Sequence, residues 1–178
     1  SCNNITRDSQ IILVEDNTPP VLANVPSNIT VECTAIPDTA LVTASDNCTP
    51  VLDVIFTETK TAGCPYTITR IWSAADSCNN ITRDSQIITV DDITPPVLSI
   101  IPDDVTVDCS SIPDTAIITA TDNCTTNVEV IFSENIVYNG CPYTITRTWT
   151  STDSCNNTVT GIQVITVNDT GVPVLSAI

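Results

Sequence analysis

Residues 1–22, SCNNITRDSQIILVEDNTPPVL, recur almost unchanged as residues 77–98, SCNNITRDSQIITVDDITPPVL, and a third copy of the opening begins at Ser154. Self-similarity at a fixed period is the mark of tandem modules. The cysteines keep the register. Cys109 and Cys124 lie 76 residues after Cys33 and Cys48, and Cys141 and Cys155 lie 77 after Cys64 and Cys78. One residue is therefore inserted in the later copy, in the loop where TKTAG becomes NIVYNG ahead of a shared CPYTITR. The period divides the chain into the last strand of a preceding module (1–17), a first whole module (18–93), a second (94–170) and the first strand of a following one (171–178). The opening Ser1-Cys2-Asn3-Asn4 has neither an initiator Met nor the basic and apolar regions of a signal peptide, so the chain reads as a processed or excised piece.

Within a module the hydrophobic period is two. In Leu52-Asp53-Val54-Ile55-Phe56 and its copy Val128-Glu129-Val130-Ile131-Phe132, the first, third and fifth positions are apolar and the second is acidic, as in a half-buried strand. Tyr66, Ile68, Arg70 and Trp72 share one face, opposed by Thr67 and Thr69; Tyr143, Ile145, Arg147 and Trp149 repeat the pattern. Strands are expected over 28–33, 40–45, 52–59, 65–74 and 82–90, with turns at IPDT, SDNC, AGCP and DSCNN. No amphipathic helix is visible. Short β-branched strands separated by turns predict an all-β chain of tandem antiparallel β-sandwich modules.

The composition excludes several functions. Five basic against 21 acidic side chains leave a net charge of −16, which repels phosphate backbones and anionic headgroups, so neither nucleic acid nor a membrane surface is an expected partner. There is no histidine, and Lys60 is the one lysine, so the usual general base, the commonest zinc ligand and most amine nucleophiles are missing. No enzyme is expected. No apolar run approaches the length of a membrane span. Nine cysteines among turn-rich segments read as disulfide staples formed in an oxidising compartment, and the expected location is extracellular, at a cell surface.

The order TPPVL, NITVEC, ASDNC, CPYTITRIWSAADSCNN, IITVDD and a further TPP resembles the hyalin-repeat (HYR) branch of the immunoglobulin-like folds. It is most similar to the four-cysteine version found in very long surface proteins of Bacteroidetes, including gliding and adhesion proteins. The resemblance covers essentially the whole chain and is most specific over Cys141–Asn157. One departure is that SCNN stands where the family has a glycine-containing turn. The resemblance implies an immunoglobulin-like sandwich for each module; such modules serve as spacers, adhesive units and extensions.

In a sandwich of this strand order Cys33 and Cys64 fall at the far pole and Cys48 and Cys78 at the N-terminal pole. Of the three connectivities open to four cysteines, Cys33–Cys64 with Cys48–Cys78 is therefore favoured, repeated as Cys109–Cys141 with Cys124–Cys155. Cys2 matches Cys78 and Cys155 and is left unpaired, its partner lying upstream. A four-cysteine zinc site lacks CxxC spacing. Acidic and amide residues gather near the Cys48 and Cys78 turns: Glu15, Asp16, Asp46, Asn47 and Asp76, copied as Asp91, Asp92, Asp122, Asn123 and Asp153. Converging carboxylate and amide oxygens suit Ca²⁺, which takes six to eight hard ligands in flexible loops. The competing reading makes the same residues Asx-turn formers. No other cofactor is implied.

Arg70 and Arg147 stand two residues from Trp72 and Trp149 on one strand face, which predicts stacking on the indole or a salt bridge to a nearby acid. Asp38-Thr39-Ala40 and Asp114-Thr115-Ala116 resemble the O-glycosylation signal of exported Bacteroidetes proteins, which would place sugar on Thr39 and Thr115. Together these features predict a structural repeat segment, the shaft of an extracellular filament or giant surface adhesin that spaces an adhesive tip. Its partners would be further copies of the module in cis or neighbouring filament subunits. The alternatives are a processed subunit joined to others by strand exchange through residues 5–15, and a ligand- or glycan-binding module.

Overall fold

The computed structural model describes residues 2–172. The first repeat contributes β1 (Val21–Ala23), β2 (Ile29–Val31), β3 (Thr43–Ser45), β4 (Val54–Lys60), β5 (Tyr66–Ala75) and β6 (Ile81–Val90). The second contributes β7 (Val97–Leu98), β8 (Val105–Asp108), β9 (Ala120–Thr121), β10 (Val130–Val137), β11 (Tyr143–Thr152) and β12 (Thr158–Asn168). The only helical element among the described residues is a single 3₁₀ turn at Cys33–Ala35. The chain is all-β, and each repeat is a β-sandwich. A two-stranded sheet, β1-β3 or β7-β9, accompanies a four-stranded one in the order β2-β6-β5-β4 or β8-β12-β11-β10. β1 with β3, β4 with β5, β7 with β9, β10 with β11 and β11 with β12 pair antiparallel, whereas β8 lies parallel to β12, Val105 beside Ile165 and Val107 beside Val167. No helix is long and apolar enough to cross a membrane.

The chain divides into two compact units. Unit 1 holds the residues up to Ile29, Pro37–Lys60 and Ile68–Ile88; unit 2 gathers Thr30–Ile36, Thr61–Thr67 and the chain from Thr89 onward. Unit 2 thus combines two short segments of the first repeat with the whole of the second.

Alternation along the long strands makes the core of each unit. On β5, Ile68, Arg70, Trp72 and Ala74 are buried, and on β11 Ile145, Arg147, Trp149 and Ser151 are. Trp72 lies opposite Phe56 on β4, ring centroids 5.5 Å apart, and Trp149 opposite Phe132 on β10 at 5.4 Å. Such tilted cross-strand aromatic pairs contribute about 0.5–1.5 kcal/mol beyond the area they bury. In unit 2, Ile145, Ile165 and Val167 form a cluster against Val105, Val107, Ile112 and Tyr143.

The buried arginines take the salt-bridge option. Arg70 Nε donates to Glu58 Oε2 at 2.7 Å, and its two terminal nitrogens donate to the carbonyls of Asp38 (3.2 Å) and Pro37 (2.9 Å). Arg147 repeats the pattern with Glu134 (2.8 Å), Asp114 (3.1 Å) and Pro113 (2.9 Å). Each guanidinium therefore ties an IPDT loop to the strand behind it. Thr39 and Thr115 stand exposed on those loops.

The turns follow from their residues. Gly63 and Gly140, at φ of 104° and 101°, precede cis peptide bonds at Cys64-Pro65 and Cys141-Pro142. Asn79 and Asn156 adopt φ of 68° and 70°, so asparagine supplies the left-handed residue of each DSCNN turn.

The strand expected at residues 5–15 is not formed: no residue from 2 to 20 is in a strand. Ile12 is 73% and Val14 81% exposed, whereas Ile88 and Val90, 76 residues on, are 0% and 1% exposed. The physical reason is that β6 lies beside β5, and the 178 residues hold no counterpart of β5 ahead of residue 5. The first strand expected over 171–178 lies outside the described residues, apart from Gly171 and Val172, which are not in a strand.

Candidate functional site

The acidic turns are built the same way in both units. In SDNC, Asp46 Oδ1 accepts the backbone N–H groups of Cys48 (2.9 Å) and Thr49 (2.8 Å); Asp122 Oδ1 accepts those of Cys124 (2.9 Å) and Thr125 (2.6 Å). In DSCNN, Asp76 Oδ1 accepts from Cys78 and Asn80, and Asp153 Oδ1 from Cys155 and Asn157, all at 2.8 Å. Asp16 and Asp92 each receive a backbone N–H two residues on, from Thr18 (3.0 Å) and Thr94 (3.1 Å). The Asx-turn reading is therefore correct for one oxygen of each carboxylate.

The second oxygens do something else. In unit 1, carboxylate oxygens of Asp16, Asp46 and Asp76 all lie within 4.8 Å of one another. In unit 2, Asp92 stands within the same distance of Asp122 and of Asp153. The Oδ2 atoms of Asp16, Asp46, Asp92 and Asp122 are buried and have no hydrogen-bond partner. Buried carboxylate oxygens normally have one, and an orphan costs about 1–3 kcal/mol or more. Four orphans at equivalent positions of two copies are the arrangement a bound cation would complete.

Asn80 and Asn157 organise these groups. Asn80 Nδ2 donates to Asp76 Oδ2 (2.7 Å) and to the Asp16 carbonyl (2.9 Å), and Asn157 Nδ2 to Asp153 Oδ2 and the Asp92 carbonyl, both 2.8 Å. Burial alone would raise the Asp76 carboxyl, but hydrogen bonds from the side chain and backbone of Asn80, then from Cys78 and Asn79, hold it below its ordinary value. Asp92 moves the other way. Burial pushes it up, reinforced by the like charges of Asp122, Asp153 and Glu32 and only partly offset by the Thr94 N–H. Burial, then Asp16 and Asp46, also push the Cys48 thiol up.

Among the candidate ligands, Glu15, Asn47 and Asn123 are exposed, and Asp91 is half-buried, outside these groups. Alternation accounts for the acids: neighbours in an extended segment point to opposite sides, so Asp16 and Asp92 face inward while Glu15 and Asp91 do not. The amides of Asn47 and Asn123 instead lie 3.1 Å from the sulfurs of Cys48 and Cys124. Glu32 and Asp108, equivalent residues ahead of a cysteine, have a role that residue pattern did not reveal. Glu32 Oε1 accepts from the Ile93 N–H (3.1 Å) and Thr94 Oγ1 (3.3 Å), and Asp108 Oδ2 from the Thr170 N–H (3.2 Å) and Oγ1 (2.8 Å). Their acidity at matching positions was the available signal.

Hydrogen bonds from the Ser110 backbone and the Thr170 side chain hold Asp108 well below its ordinary 3.8. A depressed carboxyl stabilises the fold above its unfolded value and loses that contribution as pH falls through its folded one. The Thr170 amide should therefore lose hydrogen-exchange protection, relative to its intrinsic rate, as pH drops below 3.8. The exchange should become pH-insensitive in Asp108→Asn; unchanged protection in the wild type would show that Asp108 does not hold this segment.

The cysteine pairing differs from all three within-module connectivities. Cys33 is bonded to Cys124 and Cys64 to Cys155, with Cα–Cα distances of 5.8 and 5.1 Å and a sequence separation of 91 in both. Cys2, Cys48, Cys78, Cys109 and Cys141 are free and exposed. The expected pairs Cys33–Cys64, Cys48–Cys78, Cys109–Cys141 and Cys124–Cys155 are thus not formed. All four bridged cysteines lie in unit 2, where segments 30–36 and 61–67 meet the SDNC-type and DSCNN turns of the second repeat. Residues that share a pole need not point at one another, and a disulfide requires Cα atoms within about 7 Å and converging Cβ vectors.

No family model matches the chain, and no curated protein matches it in sequence. Solved structures with some likeness include Drosophila N-cadherin EC1-4 (13% identity, TM-score 0.38, covering 85% of this chain and 50% of that one). Others are the protocadherin gamma-B4 extracellular domain (15%, 0.36, 88% and 33%) and human mucin-like protocadherin EC1-2 (12%, 0.35, 84% and 97%). The chain spans half or less of the length of the first two.

Proposed function

We propose that this chain is a structural repeat segment: the shaft of an extracellular filament or giant cell-surface adhesin, of the hyalin-repeat type, that spaces an adhesive tip. The observation that carries this reading is the pairing of Cys33 with Cys124 and of Cys64 with Cys155, residues that the 76- to 77-residue period assigns to successive copies. Two covalent bonds in addition to the backbone make a connection suited to bearing load, and disulfides suit an oxidising, extracellular setting. The similarity of the copies also suits a shaft, since recognition would need only one special copy. In this reading the exposed Thr39 and Thr115 carry O-linked sugar.

Denaturing electrophoresis of native material tests it. After boiling with reductant the polypeptide should run far above 19.0 kDa. A single small band would overturn the shaft and favour subunits joined by strand exchange. Exposed Ile11, Ile12, Leu13 and Val14 favour that second reading; against it, β6 and β12 already occupy the place beside β5 and β11.

The carboxylate groups are read as Ca²⁺ sites held by Asp16, Asp46 and Asp76, and by Asp92, Asp122 and Asp153, with water and backbone oxygens completing the shell. Calcium at a hundredfold its Kd should stabilise the fold by about 2.7 kcal/mol. Asp92→Asn with Asp122→Asn should abolish binding to unit 2 by calorimetry. Because the raised Asp92 carboxyl favours folding below its unfolded value and loses that contribution as pH rises through its folded one, the double variant should be as stable as the calcium-free parent or more so. Absence of binding heat and of any thermal shift would return these residues to turn formation.

A further inference from the structure

Four of the five free cysteines fall into two couples. Cys48 and Cys78 occupy the repeat positions of Cys124 and Cys155, and Cys109 and Cys141 those of Cys33 and Cys64. Each couple is thus one half of the double bridge already formed inside unit 2. Their surroundings match as well. Around Cys48 and Cys78, Asp46 and Asp76 organise their turns, and Asn80 reaches the Asp16 carbonyl, with the same partners found around Cys124 and Cys155. Around Cys109 and Cys141, Asp108 holds Thr170 as Glu32 holds Thr94 beside Cys33.

We propose, resting on the shaft reading, that in the fibre each couple bonds to the adjoining copy of the repeat, and that separate copies of this chain join end to end through the same bridges, Cys109 bonding to Cys48 and Cys141 to Cys78 of the next copy. Every junction along the polymer would then carry the same two bridges. Formation of each bond needs a two-electron oxidant, for which a low-molecular-weight disulfide suffices. Two protein thiols lose two protons and two electrons to become one disulfide, and the oxidant is cleaved to two thiols.

The test uses the full chain with Cys2→Ser, refolded and exposed to oxidised glutathione. Non-reducing denaturing electrophoresis should show a ladder at multiples of 19.0 kDa that collapses on reduction. Peptide mapping should recover Cys109–Cys48 and Cys141–Cys78 from the ladder and not from monomer. Cys109→Ser with Cys141→Ser should abolish the ladder, whereas Cys141→Ser alone should leave one held by single bridges. Monomer alone, a Cys48–Cys78 or Cys109–Cys141 bond within one chain, or a ladder with unselective pairings would overturn the proposal. The same digest reports Cys33–Cys124 and Cys64–Cys155, so loss of those pairs, which would sink the shaft reading, is scored separately from failure of the ends to join.

Discussion

Replacing Cys155 or Cys124 by serine should lower the stability of unit 2 by about 4–5 kcal/mol, the largest effect of any single cysteine change in the chain. Each bridge spans 91 residues, and the chain-entropy model gives about that value for a loop of this length. The two loops overlap, since 64–155 begins inside 33–124, so removing both bridges should cost less than twice as much. Cys78→Ser and Cys141→Ser, by contrast, alter exposed free thiols and should leave the monomer within about 0.5 kcal/mol of the parent. Urea unfolding of the four variants separates the possibilities. Pairing within each repeat would reverse part of the pattern and make Cys78→Ser costly; recovery of Cys33 joined to Cys64 from a non-reducing digest would decide the same question directly.

Arg147→Ala should destabilise unit 2 by about 3–5 kcal/mol, because it strands three acceptors at once. Glu134 would lose its cation and the carbonyls of Pro113 and Asp114 their guanidinium donors, at a position where the arginine side chain is 5% exposed. Arg147→Lys keeps the charge but cannot reproduce the planar fork that serves all three, and should recover only part of the loss. Glu134→Gln should cost about 1 kcal/mol or less, since that side chain is 32% exposed and partly solvated. A loss below 1 kcal/mol for Arg147→Ala would show that the loop at 113–114 does not depend on the arginine. Arg70→Ala should behave the same way in unit 1.

The period-two pattern was enough to locate the longer strands, though not β1 (Val21–Ala23) or its copy β7 (Val97–Leu98), which are too short to show a period. β5 and β6 fall within one residue of the expected spans, and the buried face Ile68, Arg70, Trp72 is the one that alternation marks. The repeat also made the candidate site legible, because Asp46 with Asp76 and Asp122 with Asp153 recur beside cysteines in turns whose chemistry is local. Distinguishing Asp16 from Glu15 and Asp92 from Asp91 required coordinates. Adjacent residues of an extended linker point opposite ways, and nothing in two neighbouring acids says which one faces inward. The coil at residues 5–15 is a different failure. Its sequence is that of β6, yet strand structure needs a partner for its backbone groups and apolar side chains, and Ile12 and Val14 have none of the contacts that bury Ile88 and Val90.

What the sequence by itself determined, then, is what depends on local or periodic information: the repeat length, the all-β class, the acidic Asx turns and the equivalence of cysteines from copy to copy. The tertiary structure alone decided which equivalent cysteines bond. Cys33 and Cys64 sit in turns at the end of one repeat, and their partners are chosen by which sulfurs come within bonding distance with converging Cβ vectors, a relation between residues 91 apart. Composition and spacing constrain the number of bridges, but they carry no information about that distance.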